Sequence, residues 1–562
     1  MFATIVAALT CAAFLPALSA GFVNYDDDRL VLRNPYLKLA WPGRLAWIWS
    51  TTYMGHYQPL AWLSLAVDYT AAGLRPLVYH ADSLAWHAAG ALALYAVLLA
   101  LLARVPATRG APLLHQRLAA SAATLMWSVH PLRVESVAWI AERRDTVSGV
   151  FWLLALFAYL ESADTGKTAL RSRRWYAASI GFLVLSLLGK AWGMTFFVTL
   201  VALDWYPLER RAWAQKIPYA AAGLVSGAVA WAAQRATPDT MVPLAQWGPG
   251  SRVLQAAYGL GFYPWKTLWP SGLALMYELP DRPPAAWTVA LVLVVAAAGF
   301  LLWRARRYPA LVVAAVAYAA TVAPVLGFAQ SGPQAVADRY AYLSSLPFSA
   351  LAAGGIVMAL GRVRLTRVAA ALAAILVALG VLTWRQSGVW HDSLSLWAHA
   401  LGAGQSGYVV HLNYGAALRA SGRVDEAVDE YRQAIALRPT SGSAWYNLAN
   451  GLKAQGRLDE AAPAYERAIA YSRWKVDAQV NLANLYYVRR QYAEAIQLYR
   501  EATATLDGVP PEQFAPEPYL YLGMALADSG DRDGARQALE VARRHPATRA
   551  RAEMELGRLG TK

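Results

Sequence analysis

The chain has 562 residues, 57% of them hydrophobic and 15% charged, with a net charge of +15 and a mean hydropathy of +0.29. That is too apolar for one soluble globule and too charged for membrane spans alone, so the chain reads as two parts that meet near residue 385. The basic excess argues against nucleic-acid binding by its placement: residues 385–562 hold 21 Lys/Arg against 20 Asp/Glu, and the remaining +14 sits in short clusters between apolar runs.

The first apolar run, residues 2–20, lacks the basic start and the cleavage site of a signal peptide and is predicted to be an uncleaved span. Further spans are predicted near 77–103, 118–131, 146–162, 175–189, 192–206, 217–235, 286–303, 310–328, 341–360 and 368–384, about eleven in all, each close to the 20 residues that cross hydrocarbon as helix. Five clusters ("RVPATRGAPLLHQR", "TGKTALRSRR", "ERRAWAQK", "RARR" and "GRVRLTR") hold 16 Lys/Arg. Positive charge in short loops marks the cytoplasmic side, so the first loop and the C-terminal part are predicted to be external. The segment "RVLQAAYGLGFYPWKTLWPSGLALMYELP" is read as interfacial or re-entrant, because its Trp, Tyr and Lys suit the headgroup zone. Cys11 is alone, which leaves no disulfide framework and no cysteine metal site.

Beyond residue 385 the sequence repeats every 34 residues, with copies near 408–441, 442–475, 476–509 and 516–549 and an insertion before the last that contains Pro510 and Pro511. Ala427, Ala461, Ala495 and Ala535 share one position, and Tyr431, Tyr465, Tyr499 and Leu539 another. Period and pattern resemble the tetratricopeptide repeat. "LWAHAL", with Trp397 one period before Tyr431, reads as a leading half-repeat. The predicted fold class is therefore all-α: a polytopic membrane helix bundle over residues 1–385, then an α-solenoid over 386–562. Asn413, Asn447 and Asn481 recur once per repeat, and Asn450 and Asn484 lie one turn further on. A side-chain amide both donates and accepts, so these five are candidates for holding a peptide backbone; repeat consensus is the other reading.

In the first part, ionisable residues gather where spans are predicted to end externally. "NYDDD" gives Asp26, Asp27 and Asp28; "GHYQPL" gives His56 and Tyr57. "HPLRVESVAWIAERRD" gives His130, Glu135, Arg143, Arg144 and Asp145, and Glu142 is counted with the external acids. "LGKAWG" gives Lys190, and "ADRYAYL" gives Asp338, Arg339, Tyr340 and Tyr342. Asp239, Glu278 and Asp281 are also external. Ionisable groups at membrane depth are costly and suggest function by default. Cations beside carboxylates at a membrane surface suit a lipid-phosphate donor: Lys or Arg would hold the leaving phosphate, and a carboxylate would take the proton of an incoming hydroxyl. No P-loop, HExxH, Gly-x-Ser-x-Gly or dinucleotide fingerprint is present.

"FVNYDDDRLVLRNP", "HYQPLAWLSLAVDY", "HPLRVESVAWIAERRD", "ADRYAYLSS" and "VWHDSLSLWAHAL", in this order, resemble the transmembrane and tetratricopeptide-repeat O-mannosyltransferases and their bacterial relatives, and more distantly the protein O-mannosyltransferases of the C-type glycosyltransferase superfamily. The resemblance implies an inverting transfer of a hexose, mannose by analogy, from a polyprenyl-phosphate sugar. It places the acidic pair on Asp26 and Asp27, the expected catalytic residues with Asp26 as base and Asp27 as its partner, and it assigns Glu135 and Arg143 to the following external loop. With Lys190, Arg339, His56 and Tyr342 these form the expected donor site. The acceptor expected is a Ser/Thr hydroxyl of an extracytoplasmic protein held in the repeats, and the membrane expected is the bacterial inner membrane. No cofactor and no metal site is expected beyond the lipid-linked donor, with a divalent ion left open. Two other readings stand beside this one: a non-catalytic membrane-anchored scaffold, and sugar transfer to a lipid or polysaccharide.

Overall fold

The computed structural model describes residues 1–164, 166–237, 241–472, 475–506 and 516–560; Asp239, Pro510 and Pro511 lie outside the described residues. The chain divides into two compact units, Met1–Gln405 and Ser406–Lys562. The expected half-repeat forms the helix Ser393–Gly402 and falls in the first unit.

The first unit is almost entirely helical, as expected where lipid offers the backbone no hydrogen-bond partner. Among the described residues three helices are long and apolar enough to cross a membrane: Pro76–Leu102, Ala285–Trp303 and Leu365–Val389. A bent pair, Asp338–Ser344 and Leu346–Leu360, makes a fourth if it counts as one span, and Phe2–Ala13, Ala191–Trp205 and Pro309–Val325 are apolar but shorter. Other expected spans are helices whose ends take up neighbouring charges. Arg143–Ser162 opens on Arg-Arg-Asp, and Ala169–Gly189 carries Arg171, Arg173 and Arg174. Length and apolarity therefore support three crossings directly, against about eleven expected. The membrane character rests on surface as well as composition: Val289, Val292, Leu293, Val295 and Leu302 of one apolar helix are each more than half exposed, a face that only lipid or a partner can cover.

Residues 252–268 of the segment read as interfacial or re-entrant belong to one continuous helix, Pro249–Leu268, with Pro264 inside it, and the remainder leads into the strand Tyr277–Glu278. Trp265, Leu268 and Trp269 are exposed at its end, while Arg252 is buried and donates to the carbonyls of Trp247, Gly327, Phe328 and Val242. Two short strands depart from the all-helical expectation. Tyr277–Glu278 pairs antiparallel with Gln334–Val336, with a register irregularity. The second strand delivers the turn Asp338–Tyr340.

The second unit consists of helix pairs: Tyr408–Ala420 with Val424–Leu437, Gly442–Ala454 with Leu458–Tyr471, Val476–Val488 with Tyr492–Leu506, and Glu517–Ser529 with Arg532–Arg543. A last helix, Arg549–Gly560, follows. The repeated alanines and the residues four beyond them are all buried in the seams. A Cβ on Gly415 would lie 2.7 Å from the Tyr431 ring, so the small residue is what lets these helices meet.

Candidate functional site

The loop after the first helix is built around Asp26. Its backbone is left-handed, with φ of 65°, and the N–H of Asp27 bonds the carbonyl of Tyr25 at 2.9 Å. That is a γ-turn in its strained form. Asp26 also receives the N–H groups of Arg29 and Leu30 on its own carbonyl, at 3.0 and 2.8 Å. Strain of this kind, on the order of 1–3 kcal/mol, persists only where the surroundings enforce it. Enforcement comes from both sides. Asp27 is 1% exposed, and its two carboxylate oxygens accept from Val23 N at 3.1 Å and Ala141 N at 3.0 Å. On the other side Asn24 is gripped by the strap between the last long helix and the repeats. Its N–H donates to Ser393 Oγ at 2.8 Å, and its Oδ1 accepts from Trp397 Nε1 at 2.7 Å. Tyr25 packs edge-on against Trp397 and accepts from Trp139 Nε1 at 2.9 Å, while Trp139 stacks on Trp390.

The two aspartates thus differ in kind. Asp27 ties two loops together, and burial pushes its carboxyl up to about 8 against two N–H groups that favour the anion. Asp26 is only half-buried, and among the described residues its carboxylate accepts no hydrogen bond and makes no ion pair. Burial raises its pKa above the ordinary value; Arg144, Arg29 and Arg339 pull it down and Glu142 pushes it up. It is the open carboxylate of the pair.

Beside it lies a balanced charge cluster. The segment from His130 to Arg143 is buried throughout, with Arg144 at its margin. His130 starts it by accepting from Leu132 N at 3.2 Å. Glu142 is fully buried and meets three cations: Arg144 at 2.5 Å, Lys190 at 3.1 Å and Arg339 at 3.3 Å. Burial alone would raise its pKa; these three cations outweigh that and hold it well below the usual range. Lys190 sits in the extended break between the helix Ala169–Gly189 and the turn Ala191–Thr195, and also pairs with Asp145 at 2.5 Å. Asp145 accepts from Ser136 Oγ at 2.9 Å. Arg339 pairs with Glu135, whose other oxygen accepts from Arg339 N at 2.7 Å, and lies over the rings of Trp139 and Tyr340. Three cations thus face three carboxylates, Glu135, Glu142 and Asp145, with Asp26 as an added negative charge. Donors remain for a ligand: of Lys190's three N–H groups two are engaged by carboxylates, while its ammonium also lies 4.7 Å from the centre of the Trp192 ring, and Arg339 Nη2, with its two N–H groups, has no partner among the described residues. Nearby Asp338 accepts from Tyr277 OH at 3.0 Å.

Of the other expected site residues, His56 is brought to the cluster: burial and then Arg144 lower its pKa well below 6.5. Arg143 is not. It is 1% exposed and turned into the bundle, paired with Asp68 and with Asp82 at 3.1 Å, and it donates to Ser83, Ser64 and the Tyr79 carbonyl. Arg144 occupies the place expected of it. Consecutive helical residues point about 100° apart, so only one of an Arg-Arg pair can face a given site. Tyr342 is also elsewhere, fully buried with its hydroxyl 3.0 Å from His87 Nδ1. Glu142, Arg144 and Asp145 stand in the quoted motif, but nothing in sequence ranked them above Arg143. Gln58, which bonds Arg144, stands in the quoted GHYQPL stretch but was not singled out, and Gln234, which bonds His56, carried no signal at all.

In the repeats the five asparagines divide. Asn450 and Asn484 accept the hydroxyls of Tyr465 and Tyr499, each at 2.6 Å, inside their own repeats. Asn413 donates to the Val409 carbonyl one turn back. Asn481 accepts from Lys453 at 3.1 Å and donates to Tyr446 at 3.2 Å. Asn447 alone of the five has no side-chain partner among the described residues.

A tetratricopeptide repeat model matches residues 446–510, and a second TPR repeat model matches 415–453. The chain is similar to protein O-mannosyl-transferase TMTC2 of Mus musculus, at 29% identity over 219 residues, which is 38% of this chain and 25% of the relative. It is 34% identical to protein O-mannosyl-transferase Tmtc1 of Drosophila melanogaster over 162 residues, 27% of this chain and 17% of the relative. With protein O-mannosyl-transferase TMTC1 of Homo sapiens the similarity runs over 511 residues at 23% identity, 79% of this chain and 56% of the relative. The chain thus spans a quarter or less of two of these relatives and little more than half of the third. Among solved structures, the crystal structure of MamA protein matches at 22% identity with a TM-score of 0.25, over 28% of this chain and 82% of that one.

Proposed function

We propose that the protein is an inverting membrane glycosyltransferase that moves mannose from a polyprenyl-phosphate carrier to Ser/Thr hydroxyls of extracytoplasmic proteins. Its first unit would cross the bacterial inner membrane about eleven times, with the cluster and the repeats on the periplasmic side. The single observation that carries the reading is the pairing of an open, strained carboxylate with a cluster of cations that keeps donors in reserve. In the reaction Asp26 takes the proton of the acceptor hydroxyl. The hydroxyl oxygen bonds to the sugar C1 from the face opposite the phosphate, and the C1–O bond to phosphate breaks. The leaving polyprenyl phosphate keeps that electron pair, and its charge is met by Lys190 and Arg339, with Arg144 behind them. Glu142 holds the three cations side by side although they repel one another. The repeats gather acceptor chains, and the names of the relatives supply the choice of mannose.

The test is transfer in proteoliposomes from undecaprenyl-phosphate mannose to a Ser/Thr peptide. The parent protein is expected to release polyprenyl phosphate and glycosylate the peptide. Asp26→Asn is expected to lose about two to four orders of magnitude in rate. An inactive parent sinks the donor or acceptor assignment, and an active variant sinks the base.

A further inference from the structure

We propose that His56 serves this site as a neutral hydrogen-bond donor, offering its Nε2–H to an oxygen of the carrier phosphate, and that Gln234 and Ser331 are the residues that fix it in that tautomer. The identity of the ligand rests on the function proposed above; the tautomer does not.

The argument begins at Gln234, on the helix Ile217–Ala236. Its amide could face His56 with either end. Gly55 decides: the Gly55 carbonyl, which can only accept, lies 3.0 Å from the atom placed as Nε2. That atom must therefore be the nitrogen. Ser331 Oγ donates to the other end, Oε1, at 2.8 Å and completes the lock. The second hydrogen on Nε2 is left for His56 Nδ1, 3.3 Å away. A ring nitrogen that receives an N–H has to present its lone pair, so Nδ1 is unprotonated and a neutral imidazole carries its proton on Nε2. Among the described residues Nε2 has no partner. Nε2 is unpartnered yet not fully buried, so that edge is reachable.

The surroundings disfavour the charged form. The groups acting on the ring are Arg144, Lys190 and Arg339, all cationic, and Glu142, whose charge those same three cations already engage. A proton on Nδ1 would also point at the Gln234 amide hydrogen. With the Nδ1 lone pair taken up by Gln234 and Nε2 already protonated, the neutral ring has no free lone pair to accept a proton, which leaves Asp26 as the base and gives His56 a different task. A neutral N–H beside the cation cluster adds a directed hydrogen bond to a phosphate without adding a fourth charge. Gln234 and Ser331 come from different loops and helices, so the orientation is a product of tertiary packing.

The test uses the full-length protein in detergent micelles with ¹⁵N-labelled histidine, with His56 assigned by loss of its signals in His56→Gln. At neutral pH His56 is expected to show a protonated Nε2 and an unprotonated Nδ1. Titration with undecaprenyl phosphate is expected to shift Nε2 and its proton while Nδ1 stays in place. Gln234→Glu places a carboxylate against Nδ1, draws the proton there and is expected to weaken undecaprenyl phosphate binding about tenfold, the worth of one hydrogen bond to an anion. His56→Gln, whose amide nitrogen can reach the place of Nε2, should retain more of the affinity than His56→Asn. A proton on Nδ1, a doubly protonated ring, or an Nε2 that is silent while the phosphate binds would overturn the proposal. Absence of any undecaprenyl phosphate binding, with the expected tautomer present, would instead overturn the ligand and the donor assignment together.

Discussion

Asp26 and Asp27 are adjacent and chemically equivalent in sequence, yet the fold gives them opposite situations. Asp27→Asn keeps only one acceptor oxygen, so it turns an amide N–H toward Val23 N or Ala141 N and leaves a buried donor unpaired. The expected cost is about 1–3 kcal/mol of stability, read as a lowered thermal midpoint in detergent. Asp26→Asn breaks no contact of its side chain and should leave that midpoint unchanged while abolishing transfer. Equal midpoints for the two variants would show that Asp27 is not the tie between the loops. The pH dependence follows from the same residue. A base works as the anion, and burial raises the pKa of Asp26, so kcat/KM should climb with pH along a limb lying above the ordinary aspartate value. Removing a neighbouring cation raises a carboxyl pKa further. Arg144→Gln should therefore move that limb to higher pH, and a limb that stays put or moves down would remove Arg144 from the field of Asp26.

At the scale of elements, the strap from Trp390 to Trp397 is a support for the Asp26 loop. Gly21 N donates to the His391 carbonyl at 2.8 Å, Asn24 is held at both of its groups, and Trp397 is fully buried. Trp397→Phe keeps a ring against Tyr25, deletes the N–H to Asn24 and leaves unfilled part of the space of the fully buried indole. A net loss of about 1–3 kcal/mol is expected. Because the cation cluster is untouched, kcat should fall while the KM for the lipid donor holds; a change confined to KM would show that the strap serves binding instead. The repeats make a parallel case. Asn450→Ala and Asn484→Ala each strip the partner from a tyrosine hydroxyl and should destabilise the solenoid by roughly 1 kcal/mol in urea unfolding. Asn447→Ala should cost no stability, and if peptide contact is its role it should raise the acceptor KM.

For the whole molecule the prediction concerns sidedness. The basic clusters and the Asp26 loop are expected on opposite faces of the membrane. In intact spheroplasts carrying a Cys11→Ser background, an impermeant thiol reagent should label Ser443→Cys and miss Arg173→Cys until the cells are opened. The reverse pattern would put the proposed reaction on the cytoplasmic side.

The sequence by itself determined what depends on local periodicity and composition. The 34-residue spacing of alanine and tyrosine specified helix pairs and their seams, because each repeat buries the same small and large residues against its neighbour. Long apolar runs specified membrane character. The clustering of Asp26, Glu135, Lys190 and Arg339 was legible too, since ionisable residues beside apolar runs are too costly to be incidental. Only the tertiary structure decided matters that turn on direction. It separated Asp26 from Asp27 through a single left-handed residue, and Arg144 from Arg143 through one step of helical rotation. It sent Tyr342 into the bundle and brought Gln234 to His56 across 178 residues of chain. It also moved the strap's helix into the first unit. Residue types and spacing report what a segment can bury; which atom faces which partner is set by packing between segments distant in sequence.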